Sequence, residues 1–460
     1  MQRKGTQAHD TSSLPIIHTN AAGLDIGSTE IWVAVPADRA PEPVHVFGTF
    51  TPDLYALADW LIECHIDTVA MEATGVFWIP IFEVLEGRGF DVQVINARHV
   101  KNVPGRKSDM KDCQWIQRLH SCGLLSGSFR PAAEIRVLRA YLRHRATWLE
   151  HRAAHIQHMQ KALQQMNLVL THVLTDITGV TGLAIIRAIV NGEHDPQHLA
   201  ALRNGNCASS QADIAKALTS NYRKEHLFAL KQALAQYDFY TTQVTECDTE
   251  IERLFVELTP PTTDDLPPLD RTDKRNTRSK NAPAYDARSL LYKLAGVDLV
   301  AVSGLNTSTV QTIVSEIGLD MNRWWTEKHF CSWLGLAPHN DISGGKVLRS
   351  RTLKTCNRAG QAFRMAAQSV GRSPHSAFGA FYRHLRARLG PQKAIVATAH
   401  KIARTFYHML KYRTPFHDLG AQEYEKRSQQ RELTYVKKRA AKLGYTLTPT
   451  TAGAAPTASF

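Results

Sequence analysis

Two long seven-residue repeats constrain the fold of this chain more than any other feature. They place large side chains every seven positions, at Leu142, Leu149, Ile156, Leu163 and Leu170, and again at Leu230, Tyr237, Val244, Ile251 and Leu258. This spacing predicts two long helices, each with an apolar seam, and we expect the first helix to cover 131–175. Charged residues Arg145 and Arg152 interrupt the first seam. The seams predict either two helices that pack within one chain or a coiled-coil dimer arm, and the pattern leaves both open.

The region before the first repeat has the pattern of a mixed α/β sheet. Apolar runs predict strands at 21–26, 30–36, 44–49, 67–72 and 91–95, and helical periodicity predicts helices at 53–64, 77–88 and 109–122. Several strands come first and later ones alternate with helices, which favours a mixed sheet.

Changes in composition divide the chain further. We predict a flexible tail at 1–15, an α/β domain at 16–125, a long-helix dimerisation region at 126–258, a disordered linker at 259–285, a mainly helical domain at 286–420, and a basic then disordered tail at 421–460. Similar stretches at 177–190 and 302–317, each a glycine turn before a helix, predict either a helix-hairpin-helix element that binds phosphate or ordinary helix starts.

Charge and cysteine content limit the partners and the compartment. The net charge of +13 favours a polyanion, because neutralised phosphates release counterions. Seven cysteines without a Cys-x-x-Cys motif predict neither a disulfide framework nor a zinc site, so we expect a reducing cytoplasm. The polar N-terminus and the lack of a long apolar run predict no signal peptide and no membrane partner.

Four carboxylates are the candidate catalytic groups. Asp25 and Glu72 lie at the ends of predicted strands, whereas Asp109 and Asp112 open a predicted helix and share one of its faces. Carboxylates in such an arrangement can surround a pair of Mg²⁺ ions, which act on the attacking and leaving oxygens of a phosphoryl transfer. The alternative is that these residues have no catalytic role. Asp25 would then be a turn residue and Glu72 a surface carboxylate, and Asp109 and Asp112 would be the acidic residues that favour a helix N-terminus.

A serine in a glycine turn is the second candidate. Ser343 precedes two glycines and a basic stretch that we expect to contact nucleic acid, namely Lys346, Arg349, Arg351, Lys354, Arg358 and Arg364. Cations beside a serine can stabilise the charge that develops when it attacks a phosphodiester. Taken alone, such a sequence is more typical of a simple turn.

Five motifs together resemble the DEDD transposases of bacterial insertion sequences, a family that includes Piv-type DNA invertases and bridge-RNA-guided recombinases. They are Gly-Leu-Asp-Ile-Gly at 23–27, Met-Glu-Ala-Thr-Gly at 71–75, Arg-Lys-Ser-Asp-Met-Lys-Asp at 106–112, Trp-Leu-Gly-Leu-Ala-Pro at 333–338 and Ile-Ser-Gly-Gly-Lys at 342–346. The segment that ends near 437–442 resembles the longer-tailed subgroup.

The resemblance implies an N-terminal RNase H-like domain, similar to the RuvC resolvase, and a helical transposase domain. Asp25, Glu72, Asp109 and Asp112 match the positions that hold Mg²⁺, which we expect as two ions replaceable by Mn²⁺. Ser343 matches the nucleophile that forms a phosphoserine bond to DNA, in cis or from a neighbouring protomer. The resemblance also implies that the protein binds donor DNA, target DNA and a structured guide RNA. It further implies that dimers form a tetramer, and that the protein is located in a prokaryotic cytoplasm near the nucleoid.

Two other functions are also compatible with the sequence. A metal-dependent structure-specific endonuclease would use the carboxylates without Ser343, and a decayed transposase would only bind nucleic acid. Trp324, Trp325 and Trp333 are expected in the core rather than stacked on bases. The His144, His151, His155 and His158 spacing permits metal binding, but a solvated or RNA-facing helix face is the preferred interpretation.

Overall fold

The computed structural model describes residues 14–73, 75–96, 109–260, 266–269, 280–352 and 357–448, and the backbone alone for 109–111. The chain separates into two compact units, Met1–Arg130 and Pro131–Phe460. Most of the predicted N-terminal tail, much of the predicted linker and the end of the C-terminal tail lie outside the described residues.

A five-stranded mixed sheet forms the first unit. Its strands are β1 (Ala21–Ile26), β2 (Glu30–Ala34), β3 (Val44–Gly48), β4 (Thr68–Glu72) and β5 (Asp91–Ile95), in the order β3-β2-β1-β4-β5. The first three strands pair antiparallel, and β4 pairs parallel with both β1 and β5. Its described helices are α1 (Thr51–Glu63), α2 (Trp78–Gly87) and α3 (Asp109–Ser121). The predicted mixed α/β sheet is confirmed, with element bounds within two residues of those predicted.

Helices cover both faces of this sheet. On one face, Leu24 and Met71 pack in a cluster with Leu57 of α1 and Leu85 of α2. On the other face, Ile116 of α3 packs against β4 and β5. The central strands are therefore apolar on both sides, which is why they appear in the sequence as continuous apolar runs.

A buried histidine at the C-terminal end of α3 makes the first unit sensitive to acid. His120 is 1% exposed, is hydrogen-bonded to the Thr68 hydroxyl at 2.9 Å and stacks on His18. Burial, helped by the His18 charge and opposed by Asp91, lowers the pKa of His120 to about 4. An unfolded histidine has a pKa near 6.5, so between pH 6.5 and 4 the unfolded chain binds a proton at His120 that the folded chain does not. The stability that neutral, buried His120 contributes is therefore complete above about pH 6.5 and is lost as the pH falls towards 4.

We therefore expect the first unit to lose about 2 kcal/mol of unfolding free energy between pH 7 and pH 5 through this group. Denaturant titrations of wild type and His120→Gln at both pH values would measure it. The glutamine variant should show a clearly smaller difference between the two pH values, and an unchanged difference would assign the acid sensitivity to other groups.

In its described residues, the second unit is helical apart from one hairpin. Its helices are α4 (Ala133–Gln165), α5 (Leu170–Val173), α6 (Val180–Val190), α7 (Pro196–Ala201), α8 (Gln211–Ala217), α9 (Lys224–Leu258), α10 (Ala287–Ala295), α11 (Thr307–Ile317), α12 (Glu327–Trp333), α13 (Arg358–Val370), α14 (Ala377–Leu389), α15 (Pro391–Tyr412) and α16 (Gly420–Lys442). Short 3₁₀ turns lie at Leu299–Ala301 and Met321–Arg323, and the hairpin consists of β6 (Pro338–Ser343) and β7 (Lys346–Thr352).

The two long helices α4 and α9 pack antiparallel within the chain. Leu163 near the end of α4 clusters with Leu230 near the start of α9, and Arg145 meets Asp248 farther along both helices. The two seams thus face each other within one copy, which is the predicted alternative of two helices that pack within one chain. A coiled coil between copies stays a prediction, as does the helix-hairpin-helix element.

The predicted single helix over 131–175 is wrong at its C-terminal end. Helix α4 ends at Gln165, and the chain turns before α5 begins at Leu170. Asn167 adopts a left-handed conformation with φ 57°, which asparagine tolerates better than most residues and which no α-helix can contain.

Among the described residues, no helix is both long and apolar enough to cross a membrane.

Candidate active site

Asp25 and Glu72 lie side by side on neighbouring strands. The parallel register pairs Leu24 with Met71, so the next position brings Asp25 level with Glu72. Side chains at matched positions of parallel strands project to the same face of the sheet. Glu72 is 8% exposed and Asp25 is partly exposed. The structure therefore brings together two of the predicted carboxylates.

Helix α3 covers this same face and runs opposite to β1. Near the start of β1, the Gln117 side-chain amide donates to the Ala21 carbonyl at 3.3 Å. A Cβ on Gly23 would lie 2.2 Å from the Gln117 backbone nitrogen, so the close packing of helix on strand requires glycine there. The N-terminal end of α3, which carries Asp109 and Asp112, is thereby directed towards the carboxyl end of β1.

The charges of two of the carboxylates affect the pKa of the Cys113 thiol. Burial raises the pKa of Cys113 to about 12, and the charges of Asp25 and Asp112 contribute to the increase. Both carboxylates therefore act on the same thiol from nearby positions. In the sequence, no motif distinguishes Cys113 from the other six cysteines. Asp109 is the first residue of α3, but its side chain lies outside the described residues, so its place beside the others stays a prediction.

The chemical type of these residues fits a hard divalent cation. Carboxylate oxygens are the ligands that Mg²⁺ prefers. Among the side chains that the structure describes, to which that of Asp109 does not belong, no group of three His, Cys, Asp or Glu is arranged to hold a metal ion. The described side chains thus supply the ligand type that such a cation requires.

Ser343 ends strand β6 of an exposed hairpin in the second unit. Its cross-strand partner is Lys346, and between them Gly344 and Gly345 have φ of 54° and 76°. Positive φ at both central residues is typical of a type I′ turn, which glycine adopts without strain. The Ser343 side chain is exposed, and its hydroxyl has no hydrogen-bond partner among the residues described. The backbone alone therefore positions this serine.

The predicted nucleic-acid contacts divide into two groups. Lys346, Arg349, Arg351 and Arg358 are exposed, and Lys354 lies outside the described residues. Arg364 is instead partly buried, and it donates to the Gly335 carbonyl at 2.7 Å. Burial lowers the pKa of Arg364. Arg364 thus supports the segment before the hairpin, whereas the described cations on β7 and at the start of α13 face solvent.

The tryptophans before the hairpin differ in burial. Trp324 is buried and its ring lies 5.1 Å from that of the partly buried Trp333, so core packing is confirmed for Trp324 and fits Trp333. The same expectation is wrong for Trp325, which is 85% exposed. A tryptophan pair in the sequence does not show which ring faces the core.

Comparison with known proteins gives two family matches. Residues 22–168 match a DEDD transposase family of the IS110 type, described as Transposase, and residues 298–383 match the Transposase IS116/IS110/IS902 family. The first match contains all four candidate carboxylates and the second contains Ser343. No curated protein matches the chain.

The mixed sheet, its paired carboxylates and both matches define a DNA-processing enzyme that catalyses transposition. The chain belongs to the IS110-type DEDD transposases. The N-terminal fold is consistent with the RuvC-like domain of this family, and the family implies dependence on a divalent metal, commonly Mg²⁺.

Proposed function

We propose that this transposase cuts and rejoins DNA through Ser343, using Mg²⁺ held by the carboxylates Asp25, Glu72, Asp109 and Asp112. The observation that carries the proposal is the register of β1 and β4, which aligns two of these carboxylates on the face that α3 covers. The match at 298–383 supports Ser343, since it contains this serine and the hairpin around it.

The proposed step conserves the energy of the phosphodiester. The Ser343 oxygen attacks phosphorus and loses its proton to solvent, a P–O(Ser) bond forms, and the bond to the leaving sugar oxygen breaks as that oxygen takes up a proton. Religation reverses these changes, so it requires no ATP, in keeping with the lack of a Gly-x-x-x-x-Gly-Lys-[Ser/Thr] motif in the sequence. When bound, Mg²⁺ supplies positive charge that stabilises the attacked phosphate and lowers the pKa of a coordinated oxygen.

We further propose that a structured RNA guides the enzyme, and that dimers assemble into a tetramer on paired DNAs with Ser343 acting in cis or in trans. The net charge of +13 and the exposed cations of β7 support a polyanionic partner. Base pairing would then read the sequence, and the protein would contact backbone and shape.

One observation favours a second candidate. The Ser343 hydroxyl has no hydrogen-bond partner among the described residues, so no neighbouring base there activates it. A metal-dependent structure-specific endonuclease would cut DNA at the carboxylates and leave Ser343 without a catalytic role.

A denaturing gel separates the two functions. The full-length protein would be incubated with junction DNA, RNA from the flanks of its element and Mg²⁺. Wild type should give a slowly migrating DNA-linked band that is absent with Ser343→Ala, Asp112→Asn or EDTA. Ser350→Ala, which alters another exposed serine of the same hairpin, is the matched control and should retain the band. Cleavage by Ser343→Ala without a linked species would establish the endonuclease.

A further inference from the structure

A row of flat rings lies along the α4–α9 pair, in a part of the chain that the proposed chemistry does not use. The ring stripe, as we call it, consists of His144, Trp148, His151, His155 and His158 on α4 with Phe239 and Tyr240 on α9. The alternating spacing of four and three residues keeps the α4 rings on one helix face. From first to last they extend about 21 Å along the helix.

Tyr240 is the centre of the ring stripe. The rings of His151 and His155 lie nearly parallel to it, with centroids 5.3 and 5.4 Å away and interplanar angles of 18° and 21°. The Trp148 ring lies 5.5 Å from it. His144, His151, His158 and Phe239 are exposed. The stack therefore presents ring surfaces to solvent, and no described part of the chain closes over it.

Two buried nitrogens within the ring stripe have no hydrogen-bond partner among the described residues. Trp148 Nε1 and His155 Nδ1 are shielded from solvent, and neither has a hydrogen-bond partner in the described ranges. Buried polar atoms normally have such partners, so unpaired ones are unusual in a region that serves only for packing. Burial and the nearby His158 and His151 charges also lower the pKa of His155.

A groove of about 350 Å³ continues the ring stripe at its His158 end. Its polar lining consists of His155, His158, Lys161, Gln165, Gln232 and Gln236, and three alanines complete it. No carboxylate lines the groove among the residues that the structure describes, although the helices that form it carry acidic residues elsewhere. The lining therefore offers hydrogen-bond donors and positive charge, the combination that suits an anion such as phosphate.

We propose that the ring stripe and this groove form a binding site for single-stranded nucleic acid, in which bases stack on the rings and a phosphate lies in the groove. Every base has a flat face, so ring platforms bind single strands whatever their sequence, and a neighbouring cation follows the backbone. A second copy of the chain that met this groove with the same surface is a poorer occupant, because it would bring its own Lys161 and histidines to a groove in which no described carboxylate lies. The site does not depend on whether Ser343 is the nucleophile.

The test compares single-stranded with duplex RNA. Anisotropy of a fluorescein-labelled 20-nucleotide RNA of mixed sequence, free or annealed to its complement, would be followed with the full-length chain. His151→Ala and Tyr240→Leu should each weaken single-strand binding about tenfold, while duplex binding changes little. Tyr240→Phe keeps the ring and should retain wild-type affinity. Phe228→Ala removes an exposed ring of α9 outside the ring stripe and is the matched control.

The groove is tested through salt dependence. Lys161→Ala should reduce the slope of log affinity against log salt concentration by about one for the single strand, and Lys231→Ala, an exposed lysine of α9 outside the groove lining, should alter it less. Variants with wild-type circular dichroism and unchanged single-strand affinity would overturn the proposal. A change of sedimenting mass in His151→Ala with RNA binding unaltered would overturn it in favour of an interface between copies.

Discussion

Replacement of Glu72 by Gln is expected to reduce Mg²⁺-dependent DNA cleavage by about 100- to 1000-fold, with the fold intact. The loss follows because an amide contributes less to holding a divalent cation than a carboxylate, and a bound metal supplies several kcal/mol of transition-state stabilisation. Thermal stability should stay equal or increase, since Glu72 is buried at 8% exposure beside Asp25 and two neighbouring carboxylates repel each other. Cleavage of a labelled junction, followed over time, measures the first effect and calorimetry the second.

The control for this substitution is Glu63→Gln, an exposed carboxylate of α1. It removes the same charge from the same unit and should leave the cleavage rate within about twofold of wild type, as surface changes far from a site usually do. If Glu72→Gln cuts DNA at the wild-type rate, the aligned pair on β1 and β4 is not the catalytic centre. Loss of both activity and stability would instead give Glu72 a structural role.

Breaking the buried ion pair between the long helices is expected to destabilise the second unit by about 3–5 kcal/mol. Arg145 Nε and Nη2 donate to the two oxygens of Asp248 at 2.6 and 3.1 Å, and the residues are only 6% and 4% exposed. Asp248→Leu would leave the Arg145 charge buried without its counterion. Thermal and urea unfolding of the full chain, with the transition of the second unit assigned by circular dichroism at 222 nm, measures the loss.

The double variant Arg145→Met/Asp248→Leu should regain most of this stability, because removing both charges also removes the desolvation cost. Glu250→Gln is the matched control, since it breaks an exposed ion pair with Arg253 on the same helix and should cost less than about 1 kcal/mol. A single Asp248→Leu variant as stable as wild type would mean that Arg145 finds another partner, such as the Asn281 carbonyl it already contacts.

The sheet could be predicted from the sequence because its strands are buried on both faces. A strand such as β4, every residue of which is buried, has a continuous apolar run up to Glu72, and this change of polarity marked both the strand end and the candidate ligand. The pairing of Asp25 with Glu72 needed the strand order, which depends on contacts between residues far apart in the sequence. Asp109 and Asp112 were assigned to a helix start correctly, but the direction of α3 over β1 was visible only from the contacts of Gln117 and Gly23.

The elements that the sequence did not reveal lack a local signal. Strands β6 and β7 are polar and almost fully exposed, so no alternation marked them and only the glycine pair predicted the turn. The two arginines in the first seam were visible as interruptions, but the partner of Arg145 lies 103 residues away. The end of α4 was missed because a single asparagine in a left-handed conformation stops the helix, and asparagine also occurs within helices.

The exposure of the β6–β7 hairpin has a consequence for which DNA the enzyme would cut. An isolated two-stranded hairpin is at best marginally stable in water, and here its strands are exposed on both faces. A nucleophile at the tip of such a hairpin would be held firmly in place only when a larger surface packs against the two strands. If Ser343 is that nucleophile, correctly assembled nucleic acid would itself complete the catalytic geometry. A DNA duplex that cannot order the β6–β7 hairpin would then not be cut. Reactivity would then be conditional on assembly, and the enzyme would need no separate inhibitor to protect its host's chromosome.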